Sequence, residues 1–272
     1  MGAGHYKIGA IIQARMGSSR FPNKVLMPLP IAGGKSVLEH QIDALKEINQ
    51  LDEVVIATSS NPMDDAIQSF CEENKIPFFR GDEEDVLSRF YAILKEREWD
   101  FVLRLTGDNP VVATSRILEL IHFFADSERT YTCTKGLPLG CNLEIFTKEA
   151  LIDAGINATS DFEKEHVTPF IRNKADHKVF YEFDTNGFEN LRLTIDYPSD
   201  YAMINLVAMG IKDSRLTLKN VIDFVKENPW VAQINEDNVQ FVPGRSLKEE
   251  SLILEPYLEK MGLTEIKKVI KK

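Results

Sequence analysis

Three cations, two hydroxyls and a glycine crowd into one short stretch, Gln13-Ala14-Arg15-Met16-Gly17-Ser18-Ser19-Arg20-Phe21-Pro22-Asn23-Lys24. The chemistry such a set offers is anion binding. Arg15 and Arg20 bring forked donors and Lys24 a point charge, the groups that phosphate oxygens require. Gly17 lacks a Cβ, so backbone N–H groups can approach closely and form a concave nest of donors, to which Ser18 and Ser19 add hydroxyls. Pro22 restricts the backbone before any ligand arrives. A nucleoside triphosphate fits this density of donors; a solvated basic loop is the plain alternative. The apolar run Ile8-Gly9-Ala10-Ile11-Ile12 just before it reads as a core strand, so the basic stretch starts where that strand ends.

Two acidic stretches complement it. In Thr106-Gly107-Asp108-Asn109-Pro110, Asp108 follows the apolar strand 101–105 and precedes a Pro-stiffened turn, a place suited to a divalent cation. Magnesium is the expected ion, because it prefers carboxylate and phosphate oxygens and needs few protein ligands. An Asx turn is the competing reading of the same residue. In Leu193-Thr194-Ile195-Asp196-Tyr197-Pro198-Ser199-Asp200, a strand is expected to end at Asp196 with a helix opening at Pro198. Asp196 then either joins the metal site or caps the helix, and Asp200 reads as a first-turn acid favoured by the helix dipole.

The elements that must position these groups alternate. Apolar strands near 8–12, 54–57, 76–79 and 101–105 are separated by helical patterns, among them Leu38, Ile42, Leu45 and Ile48 behind a Ser36 cap, then Met63, Ile67 and Phe70, then Val86, Leu87, Phe90, Tyr91 and Leu94. Repeated β-α-β units of this length imply an α/β fold with a mostly parallel sheet, helices on both faces and right-handed crossovers. Ligands in such sheets collect beyond the carboxyl ends of the strands, where the 13–24 loop lies.

Composition narrows the class. The 272 residues are 43% hydrophobic and 27% charged, ordinary for a globular protein. No apolar run approaches the roughly 20 residues of a membrane helix, and the start lacks a signal-peptide core, so a cytoplasmic protein is expected. Cys71, Cys133 and Cys141 lack metal-ligand spacing and read as reduced thiols. A net charge of −10 argues against a nucleic-acid partner and makes the 15–24 cluster a local exception.

The motif Gln13–Leu26 resembles the nucleotide-binding signature of the sugar cytidylyltransferases, the acylneuraminate and 3-deoxy-manno-octulosonate enzymes, and is nearest their spore-coat polysaccharide biosynthesis F-type branch. Val54-Val55-Ile56-Ala57-Thr58-Ser59 resembles the second-strand motif, with Ser59 where many members carry an acid. Leu105–Pro110 resembles the metal motif, and Thr194–Asp200 the late acidic motif, with one of its two neighbouring acids retained. The likeness spans residues 8 to 210 in motif order. It implies a Rossmann-like nucleotide-diphospho-sugar transferase fold with a small β-containing insert. It also implies transfer of CMP from CTP to a sugar, an acidic nonulosonate-type sugar being expected, with loss of pyrophosphate, magnesium as cofactor and a homodimer.

The resemblance assigns roles residue by residue. Arg15, Lys24 and Asp108 are the expected catalytic groups, and Asp108 with Asp196 the metal ligands. Gln13, Ala14, Arg15, Gly17, Ser18, Ser19, Arg20 and Lys24 are expected to hold the nucleotide, with Arg80 and the Gly81 backbone reading cytosine or ribose. For Asp82–Asp85 and Arg89 the reading is structural: an acidic helix start, with Arg89 paired to Asp85. Glu144, Glu165 and His166 are expected on the sugar side; Glu144 can bond hydroxyls and His166 can move a proton near neutrality, against the plainer reading of a packed histidine. The nucleotidyltransferase domain is placed at 1–230, with the insert at about 131–190 on the acceptor and dimer side, where 179–183 can serve a subunit interface. Residues 231–272 read as a basic helical tail. Two other classes remain: a nucleotide-sugar-dependent glycosyltransferase, weakened because Asp108-Asn109 lacks the second acid of an Asp-x-Asp, and a non-catalytic nucleotide-sugar sensor.

Overall fold

The computed structural model describes residues 6–18, 20–174, 178–211 and 215–238. In chain order the strands are β1 (Ile8–Gln13), β2 (Pro28–Leu29), β3 (Lys35–Ser36), β4 (Glu53–Ser59), β5 (Phe78–Gly81), β6 (Phe101–Thr106), β7 (Tyr131–Lys135), β8 (Glu144–Thr147) and β9 (Lys178–Glu182). The helices are α1 (Val37–Lys46), α2 (Asp65–Glu73), α3 (Val86–Lys95), α4 (Thr114–Ala125), α5 (Lys148–Asn157), α6 (Asp161–His166), α7 (Pro169–Lys174), α8 (Pro198–Gly210) and α9 (Leu218–Glu227). The basic helical tail expected at 231–272 lies, from residue 239 on, outside the described residues.

A seven-stranded sheet runs in the order β5-β4-β1-β6-β8-β7-β9. The first four strands are mutually parallel, while β8 is antiparallel to both of its neighbours. The strands of the expected insert therefore extend the main sheet. Side-chain alternation divides the core cleanly. Ala10, Ile12, Val54, Ile56, Leu103 and Leu105 face one layer with α1, α2 and α4, whereas Ile11, Val55, Ala57 and Val102 face another with α3 and α5. Strands buried on both faces explain the continuous apolar runs in the sequence. A third cluster joins α8 and α9 to Leu29, Val111, Leu137, Leu193 and Ile195.

The local chemistry agrees with the helix starts. Ser36 forms a capping box with Glu39, as its position before the apolar repeat leads one to expect. Two expectations differ. Met63 does not belong to the buried face of α2; it sits 56% exposed in a 3-10 turn, and Ile67 and Cys71 carry that face. The expected strand up to Asp196 is an extended segment with a single bridge, Leu139 to Arg192, pinned at Leu193 N to Leu139 O (2.8 Å) and Ile195 N to Asp108 O (2.9 Å). That second bond lays the late acidic stretch against the exit of β6.

Candidate active site

The sheet's strand order reverses between β1 and β6: the chain builds β4 and β5 on one side of β1, then places β6 on the other. Gln13 is level with Ala57 of β4 and with Thr106 of β6, so the loops leaving these strands open at one height. This is the crevice where doubly wound sheets hold ligands. Gly107 permits a close approach there. Its N–H donates to Gln13 O at 2.8 Å, and a Cβ on it would sit 2.9 Å from Ala14 Cβ. Buried Gln41 of α1 donates to the carbonyls of Thr106 and Asn109, both at 3.1 Å, and fixes the same loop from below.

The basic loop is tied down by an acid that sequence reading did not single out. Asp64 is 2% exposed and accepts from Met16 N at 2.7 Å and Ser59 N at 3.2 Å. Asn23 takes a left-handed turn (φ 62°), and its N–H returns to Met16 O, which turns Lys24 inward. Beside Gly17 the space is open, the nearest atom to a notional Cβ being Glu83 Oε1 at 3.9 Å. The loop's own packing does not require that glycine.

Lys24 is the hub. Its Nζ lies 2.7 Å from Asp108 Oδ2 and 2.9 Å from Asp196 Oδ1, with its side chain 8% exposed. Burial opposes the ammonium, but the two carboxylates outweigh it and raise its pKa above that of an ordinary lysine. Asp108 is held low for the reciprocal reason: burial pushes its pKa up, and Lys24 together with the Thr106 hydroxyl, 2.8 Å away, pulls it down further. Arg20 reaches Asp196 Oδ1 at 3.2 Å and lies over the Tyr197 ring.

Behind Asp196 stands a buried support. Arg192 donates to Asp196 Oδ2 at 3.1 Å and to Asp200 Oδ1 at 2.8 Å. Asp200 is fully buried and also accepts from the N–H groups of Asp196 and Tyr197 and from Asn235 and Asn238. Asp200 is thus the anchor of the turn that presents Asp196, beyond the first-turn acid its position suggested. No periodicity marks it, since a polar residue opening a helix is ordinary.

Two chambers open at this edge of the sheet. The first is lined by Gln13, Ala14, Arg15, Gly17, Ser18, Lys24, Val86, Arg89, Gly107, Glu165 and His166. The second is lined by Arg104, Tyr131, Cys133, Glu144 and Arg172 among others. Arg20, Thr106, Asp108 and Asp196 belong to both and form the wall between them. The structure therefore brings Gln13, Ala14, Arg15, Gly17, Ser18, Arg20, Lys24, Asp108 and Asp196 together. Ser19 lies outside the described residues.

Other expected site residues fall elsewhere. Glu165 and His166 line the first chamber, apart from Glu144. His166 packs edge-on to Phe162, and burial, with Arg104 and Arg15 nearby, outweighs Glu165 and keeps its pKa below the ordinary 6.5. The turn carrying it is strained, Val167 having φ 66° and ψ −55°, outside the regions a β-branched residue prefers. Glu144 lines the second chamber, but its carboxylate is taken up by Arg104, Tyr131 Oη (2.6 Å) and Thr168 Oγ1 (2.8 Å). These partners overcome the burial penalty and lower its pKa. Arg80 lines neither chamber: its guanidinium donates to Ser59 O and Asn61 O at 2.9 Å and pairs with Asp65. Gly81 ends β5, and its missing side chain makes room for Arg89, whose Cγ would lie 2.8 Å from a Cβ there. The expected pair of Arg89 with Asp85 is absent, because Arg89 is buried and Asp85 instead caps α3 through Ser88 N.

Comparison with known proteins agrees with this geometry. The family model described as cytidylyltransferase matches residues 9–231. An uncharacterized protein of Methanocaldococcus jannaschii is 36% identical over 246 residues, covering 89% of this chain and 100% of its own. The spore coat polysaccharide biosynthesis protein SpsF of Bacillus subtilis is 35% identical over 233 residues, covering 83% of this chain and 97% of its own. A solved structure of a cytidylyltransferase from Leptospira borgpetersenii superposes with a TM-score of 0.76 at 26% identity, over 88% of this chain and 100% of that one. With its first-strand basic loop, its Asp108 and its Asp196 converging at the sheet's switch point, the chain belongs to the cytidylyltransferase family.

Proposed function

We propose that the protein activates a sugar, of the acidic nonulosonate type, by transferring CMP from CTP with release of pyrophosphate, in the cytoplasm, for a cell-surface or spore-coat polysaccharide. The observation that carries this reading is the wall shared by the two chambers. A reaction between two substrates needs their reacting atoms to meet at one place, and Asp108 and Asp196 face both sides of that place. CTP occupies the first chamber and the sugar the second.

The reaction joins a sugar oxygen to the α-phosphorus as the bond from that phosphorus to the bridging β-oxygen breaks. The hydroxyl proton passes to solvent, and pyrophosphate carries off the electron pair. Such transfers depend on positioning and charge stabilisation more than on covalent help from the protein. Arg15 has no ion pair among the described residues, so its guanidinium is available to the terminal phosphates. Lys24 meets the charge that grows on the departing pyrophosphate, an interaction stronger in the transition state than in the ground state. Arg20 steadies the α-phosphate from the wall.

The donor set fits a magnesium ion. Two carboxylates close on one ammonium, and among the described residues no cluster of three or more His, Cys, Asp or Glu side chains forms a self-sufficient metal cage. A cation that takes one or two carboxylates and completes its shell with phosphate and water suits that arrangement. Asp108 and Asp196 would hold it, and when bound it supplies Lewis-acid polarisation of the phosphate oxygens. The expected homodimer forms part of the proposal, with β9 at one edge of the sheet.

The test is pyrophosphate release in a screen that crosses the four nucleoside triphosphates with a panel of acidic and amino sugars. Release with CTP and an acidic sugar supports the reading. Release of a nucleoside diphosphate from a nucleotide sugar would overturn it in favour of a glycosyltransferase.

A further inference from the structure

We infer that Thr168 is a positioning residue: its hydroxyl bond to Glu144 in the second chamber, carried through a γ-turn at Val167, fixes the place of His166 in the first. This rests on the reading of the two chambers as those of nucleotide and sugar.

Val167 joins α6 to α7 with φ 66° and ψ −55°. Across it the N–H of Thr168 donates back to His166 O at 2.7 Å, which completes a γ-turn of the rare, strained hand. A β-branched residue avoids this conformation, and such strain persists only where the surroundings impose it. Two sets of contacts do so. Val167 is fully buried in the layer that packs α3 and α5 on the sheet, and its N–H reaches Glu163 O at 3.0 Å. Thr168 is 3% exposed; its hydroxyl donates to Glu144 Oε1 at 2.8 Å, and its carbonyl accepts from Arg172 N at 2.8 Å in the first turn of α7.

The turn reverses the chain within three residues, so its two ends serve different spaces. His166, with Glu165 before it, lines the first chamber, whereas Thr168 holds the acid that lines the second. Thr168 and Val167 line neither chamber and act only through their neighbours. With the hydroxyl bond in place, the imidazole stands edge-on to Phe162, under the charges of Arg15 and Arg104 and 3.9 Å from the Glu165 carboxylate. Without it, the turn relaxes toward an ordinary conformation and carries the ring toward solvent. A ligand that draws on Glu144 in the second chamber thereby alters the first.

The ring resonances of His166, assigned by their loss in His166→Asn, read its place without any substrate. In the wild type the ring should titrate below 6.5, since burial with Arg104 and Arg15 outweighs Glu165. Thr168→Val keeps the shape and removes the hydroxyl. It should move that midpoint up toward 6.5 and weaken equilibrium binding of CTP with magnesium about 3- to 10-fold, the scale of one hydrogen bond. Thr168→Ser should restore both, which a change of packing alone would not. In a His166→Asn background, Thr168→Val should cost CTP binding little more, because the two residues act in series. Thr168→Ala takes the place of the valine variant if that does not fold. An unchanged His166 midpoint in a folded Thr168→Val protein overturns the inference, as does a serine variant that behaves like the valine one. A wild-type ring titrating at or above 6.5 overturns it whatever the variants do. A ring that follows Thr168 while CTP binds all the variants equally keeps the positioning role and loses the reading of the first chamber as the nucleotide's.

Discussion

Lys24 and Asp108 stand 84 residues apart in sequence and 2.7 Å apart in space, Nζ to Oδ2. The ammonium reaches Asp196 as well, at 2.9 Å. One buried cation thus holds two carboxylates that would otherwise repel each other. Lys24→Ala should lower kcat for pyrophosphate release by about 100- to 1000-fold, the scale found when one preorganised donor to a developing oxyanion is removed. Lys24→Arg should not rescue it, since a planar fork does not fit a slot shaped for a point charge. Wild-type kcat in either variant would show that the leaving group is stabilised elsewhere.

Removing charge from Asp108 without changing its shape separates metal holding from packing. Asp108→Asn keeps a partner for the Thr106 hydroxyl. The magnesium concentration giving half-maximal rate should rise more than about tenfold, as loss of a carboxylate ligand to a hard cation implies. In the wild type, chelation with EDTA should abolish turnover and added magnesium restore it. A variant with an unchanged magnesium requirement would remove Asp108 from the metal site.

How much of this was legible in sequence follows from where the signal lay. The loop at 13–24 and the 106–110 stretch were readable because each is contiguous and follows an apolar strand. Parallel strands in register bring such loops to one edge, and Gln13 is indeed level with Thr106. Asp64 and Asp200 were not readable, because their bracing roles come from burial among residues distant in the chain. Arg80 was misleading for a related reason. It follows the same strand pattern as a ligand-binding residue, but the nearby carbonyls of Ser59 and Asn61 claim its donors. Where side-chain donors turn depends on which acceptors tertiary structure supplies.

Asp200 lines neither chamber and acts on them only through the turn that presents Asp196, so its loss should appear first as stability. Asp200→Ala removes the acceptor that Arg192, Asn235, Asn238 and the N–H groups of Asp196 and Tyr197 share in the interior, leaving Arg192 with Asp196 as its carboxylate partner. Breaking a buried ion pair from one side costs about 3–5 kcal/mol. The urea midpoint should fall accordingly at unchanged m, and a loss below about 1 kcal/mol would mean that the cluster relaxes around water.

Acid and base should act on different groups. Asp108, Glu144 and Asp200 have folded pKa values below their ordinary 3.8, 4.5 and 3.8, and His166 lies below 6.5. Each contributes stability that is present above the ordinary value and lost as pH falls through the folded one, because the unfolded chain then binds more protons. Lys24, raised above 10.5, stabilises fully below that value and loses its effect as pH rises through the folded one. Urea titrations should therefore give a plateau from about pH 7 to 10, a shallow decline below pH 6.5 and a steep one below about 4.5. Glu144→Gln should flatten the steep limb and His166→Asn the shallow one. A stability maximum below pH 4 would contradict the assignment.

Asn235 and Asn238 lie beyond α9, yet they connect to the reactive edge through three successive contacts: they hold Asp200, which holds Arg192, which holds Asp196. Among the described residues, the reach of the site's support is therefore set by polar bracing more than by the extent of the sheet. Trimming the chain back to Val231 would leave every described strand in place and still slacken the Asp196 carboxylate.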